Sequence, residues 1–502
     1  MLFWQFVYVS LQAMAAAIVV AVGLGLLAVV IMFIRDRTQA DDAVRRNYPV
    51  LGRFRHLFSE LGEFFRQYFF AMDREEMPFN RSQRNWIEHA ADGDDRTNTV
   101  AFGSTRNLGV PGTAIFVNAP FPPLDKDVAK TQPMRIGPHC RHPYDAPSFF
   151  NISAMSFGAL SRPAVKALSR GAAVAGVWYN TGEGGLSPWH LEGGCDVVFQ
   201  IGTAKYGVRD QDGNLSDAKL REVAAHDEVK MFEIKLSQGA KPGKGGILPG
   251  NKVDATISQI RGIPIGQASI SPNRHTDVSN VSELLDLIHR IREVSGKPVG
   301  FKSVVSDTAW LEDLIAEIHA RGIESAPDFI TIDGGDGGTG AAPVPLMDNV
   351  GLTIRESLPM VSDLLHAHGL RQRIPIIASG KLINPSAVAL ALCMGADFVV
   401  SARGFMFSLG CIQALKCNKN TCPTGITTHK KHLQKGLVPR EKFKKVASYA
   451  KTVIKEVEMI AHSCGVSEPR QLRRHHVRIV QPDGKSERAD KLLPRPAEIA
   501  AE

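Results

Sequence analysis

The first 34 residues contain no Asp, Glu, Lys or Arg. That absence excludes an ordinary surface segment. From Ala13 to Ile34 the run is almost wholly apolar. At 1.5 Å per residue, about 20 such residues cross a hydrocarbon core. A cleaved secretory leader begins with positive charge and ends in a small-x-small site. Here the start is uncharged and the run ends Ile31-Met32-Phe33-Ile34-Arg35. Residues 1–36 are therefore expected to be a retained single-pass anchor, not a leader or a buried core helix. Arg35, Arg37, Arg45 and Arg46 come directly after the run. Positive residues stay on the cytoplasmic side, so the bulk of the chain is expected in the cytoplasm and the extreme amino terminus outside.

Cysteine is scarce and odd in number, seven in 502 residues. That excludes a secreted disulfide framework and fits a reducing compartment. No zinc-finger, RNP-like or basic-helix motif occurs, so the net charge of +8 is not read as nucleic-acid binding. A solvated basic surface near a membrane accounts for it. An aromatic-rich stretch succeeds the anchor, with Phe58, Phe64, Phe65, Tyr68 and Phe69. It suits either the membrane surface or packing onto the catalytic domain. Residues 37–147 form an extension that wraps or tethers that domain. The tail, 463–502, is basic, contains Pro482, Pro494 and Pro496, and is expected to lie on the surface or fray.

From about residue 148 short apolar runs alternate with amphipathic helical stretches, the pattern of parallel β/α units. Eight core strands are expected near Phe149–Ser156, Trp178–Glu183, Val197–Gly202, Met231–Ser237, Val299–Val304, Phe329–Asp333, Pro375–Ser379 and Phe398–Ala402. Helices fill the gaps, as at Arg162–Ala175 and Val281–Ser295. Eight repeats predict an α/β fold closed into a (β/α)8 TIM barrel over 148–462, whose functional face is the carboxyl ends of its strands.

Those ends carry the unusual residues. Glycines at 334–340 let backbone N–H groups approach a ligand. With Ser379-Gly380 and Ala402-Arg403-Gly404 at the next two strands, they suit a phosphate. Lys302, at the fifth strand end, needs an anionic partner if buried; the N1–O2 edge of a reduced flavin would be one. Cys411, Cys417 and Cys422 make a C-x5-C-x4-C run with Pro423 directly after it. Iron–sulfur ligation fits that spacing. Zinc is the rival, with His429 as a fourth ligand.

The stretches NISAMSFGALS, NTGEGG, QIGTAKYGVRD, EIKLSQGAKPGKGG, LPGNKV, IDGGDGGTGAAP and CIQALKCNKNTCPTG resemble, in order, the synthase domain of glutamate synthase. They look still more like its short stand-alone FMN-binding relatives. The resemblance implies an FMN-bearing barrel with a 3Fe–4S cluster held by Cys411, Cys417 and Cys422. It places Met155, Ser156, Gln200, Lys302, Gly334, Gly335, Gly337, Gly338, Ser379, Gly380, Arg403 and Gly404 around the flavin. It puts Lys241 and Arg261 near the carboxylates of 2-oxoglutarate and Glu183 at the site entrance. The implied reaction is reductive amination of 2-oxoglutarate with ammonia to L-glutamate. The electrons would come from a donor protein or reductase subunit.

The sequence departs from that family in three respects. It begins Met1-Leu2-Phe3-Trp4 rather than with a glutaminase cysteine. No GxGxxG dinucleotide motif is visible, so a nicotinamide cofactor would be used by a partner. Ile247 stands where the large enzymes usually carry a glutamine that lines the substrate site. These departures motivate two alternatives: a related amine–2-oxoglutarate oxidoreductase handling an N-substituted glutamate, and an electron-relay flavoprotein subunit of a membrane complex. A flavin 2-hydroxy-acid oxidase would want His–Gly–Gly–Arg where this chain has Asp333-Gly334-Gly335-Asp336.

Overall fold

A computed structural model of the chain describes residues 2–39, 42–93 and 102–497. Parts of the expected extension and tail, 40–41, 94–101 and 498–502, lie outside it. The chain divides into two compact units, Met1–Ser82 and Gln83–Glu502.

In the first unit the uncharged run lies in one helix, Leu2–Thr38. By length and composition it could cross a membrane, and none of its apolar window is buried within the chain. Asp36, near its end, is fully buried and pairs with Arg45 at 3.0 Å and Arg53 at 2.7 Å. It also accepts the Val50 N–H at 3.0 Å. This carboxylate pins the helix end to the next turn, so Arg45 is not simply a solvated charge. The aromatic stretch forms a helix, Leu51–Phe65, and a π-helical turn, Arg66–Phe70. Phe58, Phe69 and Phe70 are exposed; the side chain of Phe64 lies outside those described.

The second unit holds a closed barrel of eight parallel strands. They are β1 (Phe150–Ile152), β2 (Tyr179–Asn180), β3 (Val197–Ile201), β4 (Val229–Lys235), β5 (Val299–Ser303), β6 (Ile330–Asp333), β7 (Ile376–Ser379) and β8 (Phe398–Ser401). Each pairs with its neighbours in sequence, and β8 closes onto β1 through Val399–Phe150 and Ser401–Ile152. Nearly every strand residue is buried, as expected where helices cover the outside of a parallel sheet. The strands fall where the sequence places them, with β1 and β2 shorter. β2 stops because the chain turns at Gly182, whose φ of +62° is left-handed backbone that favours glycine.

The helices end where their caps are written. Helix Arg162–Ala175 starts at Ser161, whose hydroxyl accepts the Ala164 N–H, and stops at left-handed Gly176. Helix Val281–Ser295 runs from Asn280 to left-handed Gly296. Both obey the rule of a polar N-cap and a glycine stop. Helix Pro439–Ser463 packs on Arg162–Ala175. A Cβ at Gly171 would lie 2.5 Å from Val446 Cγ1, so a glycine permits this close approach.

The base of the barrel is plugged. Strands Met134–Ile136 and Tyr144–Ala146 pair as an antiparallel hairpin. Ile136, Tyr144 and Ala146 join Trp178, Phe329 and Phe398, at the strand starts, in one buried cluster. Part of the amino-terminal extension thus completes the core.

The carboxyl-terminal segment departs from expectation. It does not fray. Val477–Val480 pairs with Ala114–Phe116 and with Ser486–Arg488 in a three-stranded sheet. Leu472, Val477 and Val480 are buried, each such burial contributing about 1.5–3 kcal/mol. Arg474 is buried and pairs with Asp363 at 2.6 Å. Arg470 lies over the Phe398 ring and donates to Asp397 O at 2.9 Å. Arg470 and Arg474 are thus anchors into the barrel, while Arg473 between them is exposed.

Candidate functional site

The carboxyl ends of the strands surround a cleft with about 1110 Å³ of space, part of it open to solvent. Met155 and Ser156 line it after β1, Glu183 after β2, Gln200 on β3, Lys235 and Lys241 from β4 onward, and Lys302 on β5. Gly338 after β6 and Arg403 after β8 line the other side, with Cys417 beside them. Arg261, Ile247 and Lys252 arrive from the excursion between β4 and β5.

The glycines of the quoted motifs make room for the charged side chains. A Cβ on Gly246 would meet Glu183 Oε1 at 2.3 Å, and one on Gly202 would meet Glu183 Cβ at 2.6 Å. Cβ atoms on Gly184 and Gly158 would come within 2.8 and 3.1 Å of the Arg261 guanidinium. Glu183 is largely buried in the cleft wall, 2.9 Å from Lys235 Nζ. Burial raises its pKa, but Lys235 and Lys241 more than offset this and hold it ionised. Arg261 donates to Ser269 Oγ at 3.1 Å and Phe157 O at 3.3 Å. Its Nε is buried without a partner. Lys241 is pushed down to about 8, first by burial and then by Lys235, with Glu183 opposing.

Beneath the cleft a carboxylate organises the floor. Glu233 is buried and accepts from Asn180 Nδ2 at 2.9 Å, Gln200 Nε2 at 2.6 Å and Thr331 Oγ1 at 2.6 Å. The Gln200 amide thus turns its nitrogen toward Glu233. Lys302 has an anionic partner of its own, Asp333 Oδ2 at 3.1 Å. Asp333 also accepts the Gly239 N–H at 2.9 Å. Burial pulls the Lys302 pKa down, and Asp333 and Glu233 more than restore it.

The glycine run after β6 divides into two functions. Gly338 faces the cleft, and its missing Cβ leaves room for Arg403 Nε, which a Cβ would approach to 2.8 Å. Gly334 and Gly335 instead meet the backbone of Ile354 and Gly351. Gly337, Ser379, Gly380 and Gly404 are likewise not in the cleft wall. Gly404 lies under Tyr449, whose hydroxyl would be 1.9 Å from a Cβ there.

Cys411, Cys417 and Cys422 stand on one lobe after β8, all three as free thiols. Cys417 Sγ lies 3.9 Å from the Arg403 guanidinium. Burial raises the Cys411 thiol. Burial also acts on Cys422, but hydrogen bonds from Thr424 and Thr427 bring it below the ordinary value. Among the described residues no three His, Cys, Asp or Glu side chains converge on a metal-sized point. His429 bonds Gly158 O at 2.9 Å through Nε2 and so is engaged elsewhere. The donor types suit iron, but their arrangement here does not form a three-thiolate site.

The sequence marks Lys235 and Asp333 at strand ends without a role, and does not single out Lys252 or Glu233. A carboxylate and a lysine two residues apart in the buried run Met231–Lys235 are the available signal. Lys252 sits in the LPGNKV stretch, and its Nζ donates to Cys417 O at 2.8 Å and Thr427 O at 2.7 Å. Lys252 also lines the cleft, and burial pushes it down to about 8, with Cys417 and Cys422 opposing.

The model for the conserved region in glutamate synthase matches residues 124–467. A Bacillus subtilis (strain 168) protein, glutamate synthase large subunit-like protein YerD, is 38% identical over 501 residues. That match covers 92% of this chain and 94% of YerD. The archaeal-type glutamate synthase (NADPH) of Thermotoga maritima is 34% identical over 324 residues, 64% of this chain and 60% of that protein. The glutamate synthase (NADPH) large chain of Bacillus subtilis is 34% identical over 57% of this chain, but only 18% of its own length is covered. This chain thus spans less than two thirds of those two enzymes. A solved mandelate oxidase with (S)-2-phenylpropionate, 16% identical with a TM-score of 0.44 over 79% of this chain and 98% of its own, is too loose a likeness to bear on function. The family match runs through every strand of the barrel and through the cysteine lobe, and the chain belongs to the glutamate synthase family.

Proposed function

We propose that this protein is a membrane-anchored FMN oxidoreductase that aminates 2-oxoglutarate reductively. The supporting observation is an excess of cations in one cleft. Lys241, Lys252 and Arg261, all buried, and half-buried Arg403 line it, while Glu183, the one carboxylate in its wall among the described residues, is already matched by Lys235. Buried charge without a partner is costly, so the cleft is built for anions. A flavin phosphate and a dicarboxylate fit that demand. Balanced, 2-oxoglutarate, ammonium, two electrons and two protons give L-glutamate and water.

The residues present fit FMN. Met155, Ser156, Gln200, Lys302, Gly338 and Arg403 would hold it, and it would supply hydride to the imine carbon of 2-iminoglutarate. Lys302, kept protonated by Asp333, places a fixed positive charge in the cleft. Arg261 and Lys241 grip carboxylates, and the guanidinium can do so through two nitrogens. Ionised Glu183 holds Lys235 in place. The family carries the expectation of a 3Fe–4S cluster on Cys411, Cys417 and Cys422. The anchor is residues 1–36, with the barrel on the cytoplasmic side and a separate protein as electron donor.

One observation favours a second reading. Ile247 is 47% exposed and lines the cleft, where it cannot hydrogen-bond a carboxylate. An N-substituted glutamate, made from an alkylamine, would place its alkyl group there. The test is reoxidation of the reduced, FMN-loaded protein by 2-oxoglutarate with ammonium or with methylamine. Faster reoxidation with ammonium supports the first reading, and with methylamine the second. No acceleration with either removes both.

A further inference from the structure

We propose that helix Leu51–Phe65 and the turn after it lie flat in the headgroup layer of a phospholipid bilayer, as a second membrane contact of this chain. This rests on the reading of residues 1–36 as a membrane anchor. The helix presents one apolar stripe. Phe54, Leu57, Phe58, Leu61 and Phe65 are all exposed, and they recur at the three- and four-residue spacing that gathers side chains on one helix face. The stripe runs on past the helix. Phe65 packs on Phe69 with ring centroids 5.6 Å apart, and Phe69 and Phe70 are 67% and 75% exposed. Contiguous apolar surface of this kind is unfavourable in water and marks an interaction site.

The position of the stripe selects the partner. The uncharged run ends at Ile34, and Asp36 stands two residues beyond it. The buried Asp36 carboxylate accepts the Val50 N–H at 3.0 Å and the Arg53 Nε and Nη2 at 2.8 and 2.7 Å. Both donors flank the start of helix Leu51–Phe65. The elbow between the two helices is tightly held. Val50 sits at a φ of +66°, left-handed backbone that a β-branched residue adopts only where its contacts impose it. A Cβ at Gly52 would lie 2.8 Å from Arg45 Cα, so this glycine lets the helix start rest on the backbone of the short helix Ala43–Asn47.

A span that ends at Ile34 therefore delivers the first turn of the aromatic helix to the bilayer surface. Lying in the bilayer plane, the helix can bury its stripe about 5–10 Å deep, at the boundary of headgroups and acyl chains. Arg35, Arg37 and Arg46 are exposed at the elbow and suit lipid phosphates. A protein groove could take the same stripe, but nothing would then require the stripe to begin where the span ends. With the lipid contact made, the chain leaves the surface near Met72 rather than at Thr38, and correspondingly less of it is free tether.

The test uses the full chain in nanodiscs of phosphatidylcholine and phosphatidylglycerol. The photo-cross-linker benzoylphenylalanine is placed in turn at Phe58, at Phe69, at Gly23 within the span, and at Glu63, which helical spacing puts away from the stripe. An unchanged melting temperature checks that each protein is folded. After irradiation, mass spectrometry should find phospholipid adducts at Phe58 and Phe69 in yields comparable with Gly23 and about tenfold above Glu63. Lipid adducts at Gly23 but at neither Phe58 nor Phe69, equal yields at Glu63, or cross-links from Phe58 and Phe69 to protein instead of lipid would overturn the proposal and leave the anchor standing. Absence of lipid adducts at Gly23 as well would remove the anchor and the proposal together.

Discussion

Removing the Lys241 ammonium tests the cleft most directly. Its buried position beside Lys235 holds its pKa at about 8, well below the ordinary lysine value. The sign of the pH effect comes from that direction. Below about pH 8 the group is charged and grips a carboxylate; above it the charge and the grip are lost. Between pH 7 and pH 9 the protonated share falls from about nine tenths to about one tenth, so 2-oxoglutarate affinity should fall about tenfold. In Lys241→Met a hydrogen bond between charged groups disappears, worth about 1.5–3 kcal/mol, or roughly 10- to 140-fold in Kd at pH 7. Folding should not suffer, because among the described residues Lys241 makes no ion pair of its own and Glu183 keeps its pair with Lys235. The assay is calorimetric titration of 2-oxoglutarate into the FMN-loaded protein at several pH values. A variant that binds as tightly as the parent at pH 7, or keeps the parent's pH dependence, would refute the assignment.

Lys302→Met should cost about 3–5 kcal/mol in urea unfolding, because it leaves Asp333 charged and buried; adding Asp333→Asn should recover most of that. Gly404→Ala should lower the melting temperature through a clash with the Tyr449 hydroxyl, a cost of about 1–3 kcal/mol, and Tyr449→Phe should relieve part of it. Leu472→Ala should cost about 2–5 kcal/mol in the same unfolding assay, an effect that a frayed tail would not show. Ile247→Gln should tighten 2-oxoglutarate by several-fold in the titration, since it adds a donor where the cleft now offers a methyl surface.

The barrel is legible in the sequence because each strand is an apolar run ended by a turn residue and several of its helices have written caps. Ser161 and Gly176 mark one helix, and Asn280 and Gly296 another, without help from the rest of the chain. The site is legible as a set of strand ends but less so in detail. Glycines at strand ends suggest ligand contacts, yet Gly202 and Gly246 are needed because Glu183 fills the space a Cβ would take. Gly334 and Gly335 serve backbone packing against residues 351 to 354. No local pattern distinguishes these uses, since each depends on what a distant loop brings near. The need of Lys302 for an anion is plain from its place in the strand, but Asp333, one strand away, is the partner that the register supplies. The tail misleads because arginine counts as surface until its carboxylate is found, and Asp363 lies 111 positions earlier.

The sheet that joins Ala114–Phe116 to Val477–Val480 also bears on how the protein is made. Phe116 waits for Val477, about 360 residues later, and at roughly 5–20 residues per second the ribosome takes about 20 to 70 s to supply it. During that interval this sheet lacks its final strands, while the apolar helix at the front of the chain has already emerged. Early capture of that helix by a membrane or a chaperone would keep the nascent chain from aggregating until its last segment arrives. Contacts this distant in sequence also make folding slow, so the yield of active protein should depend more on the rate of synthesis than on the stability of the finished barrel.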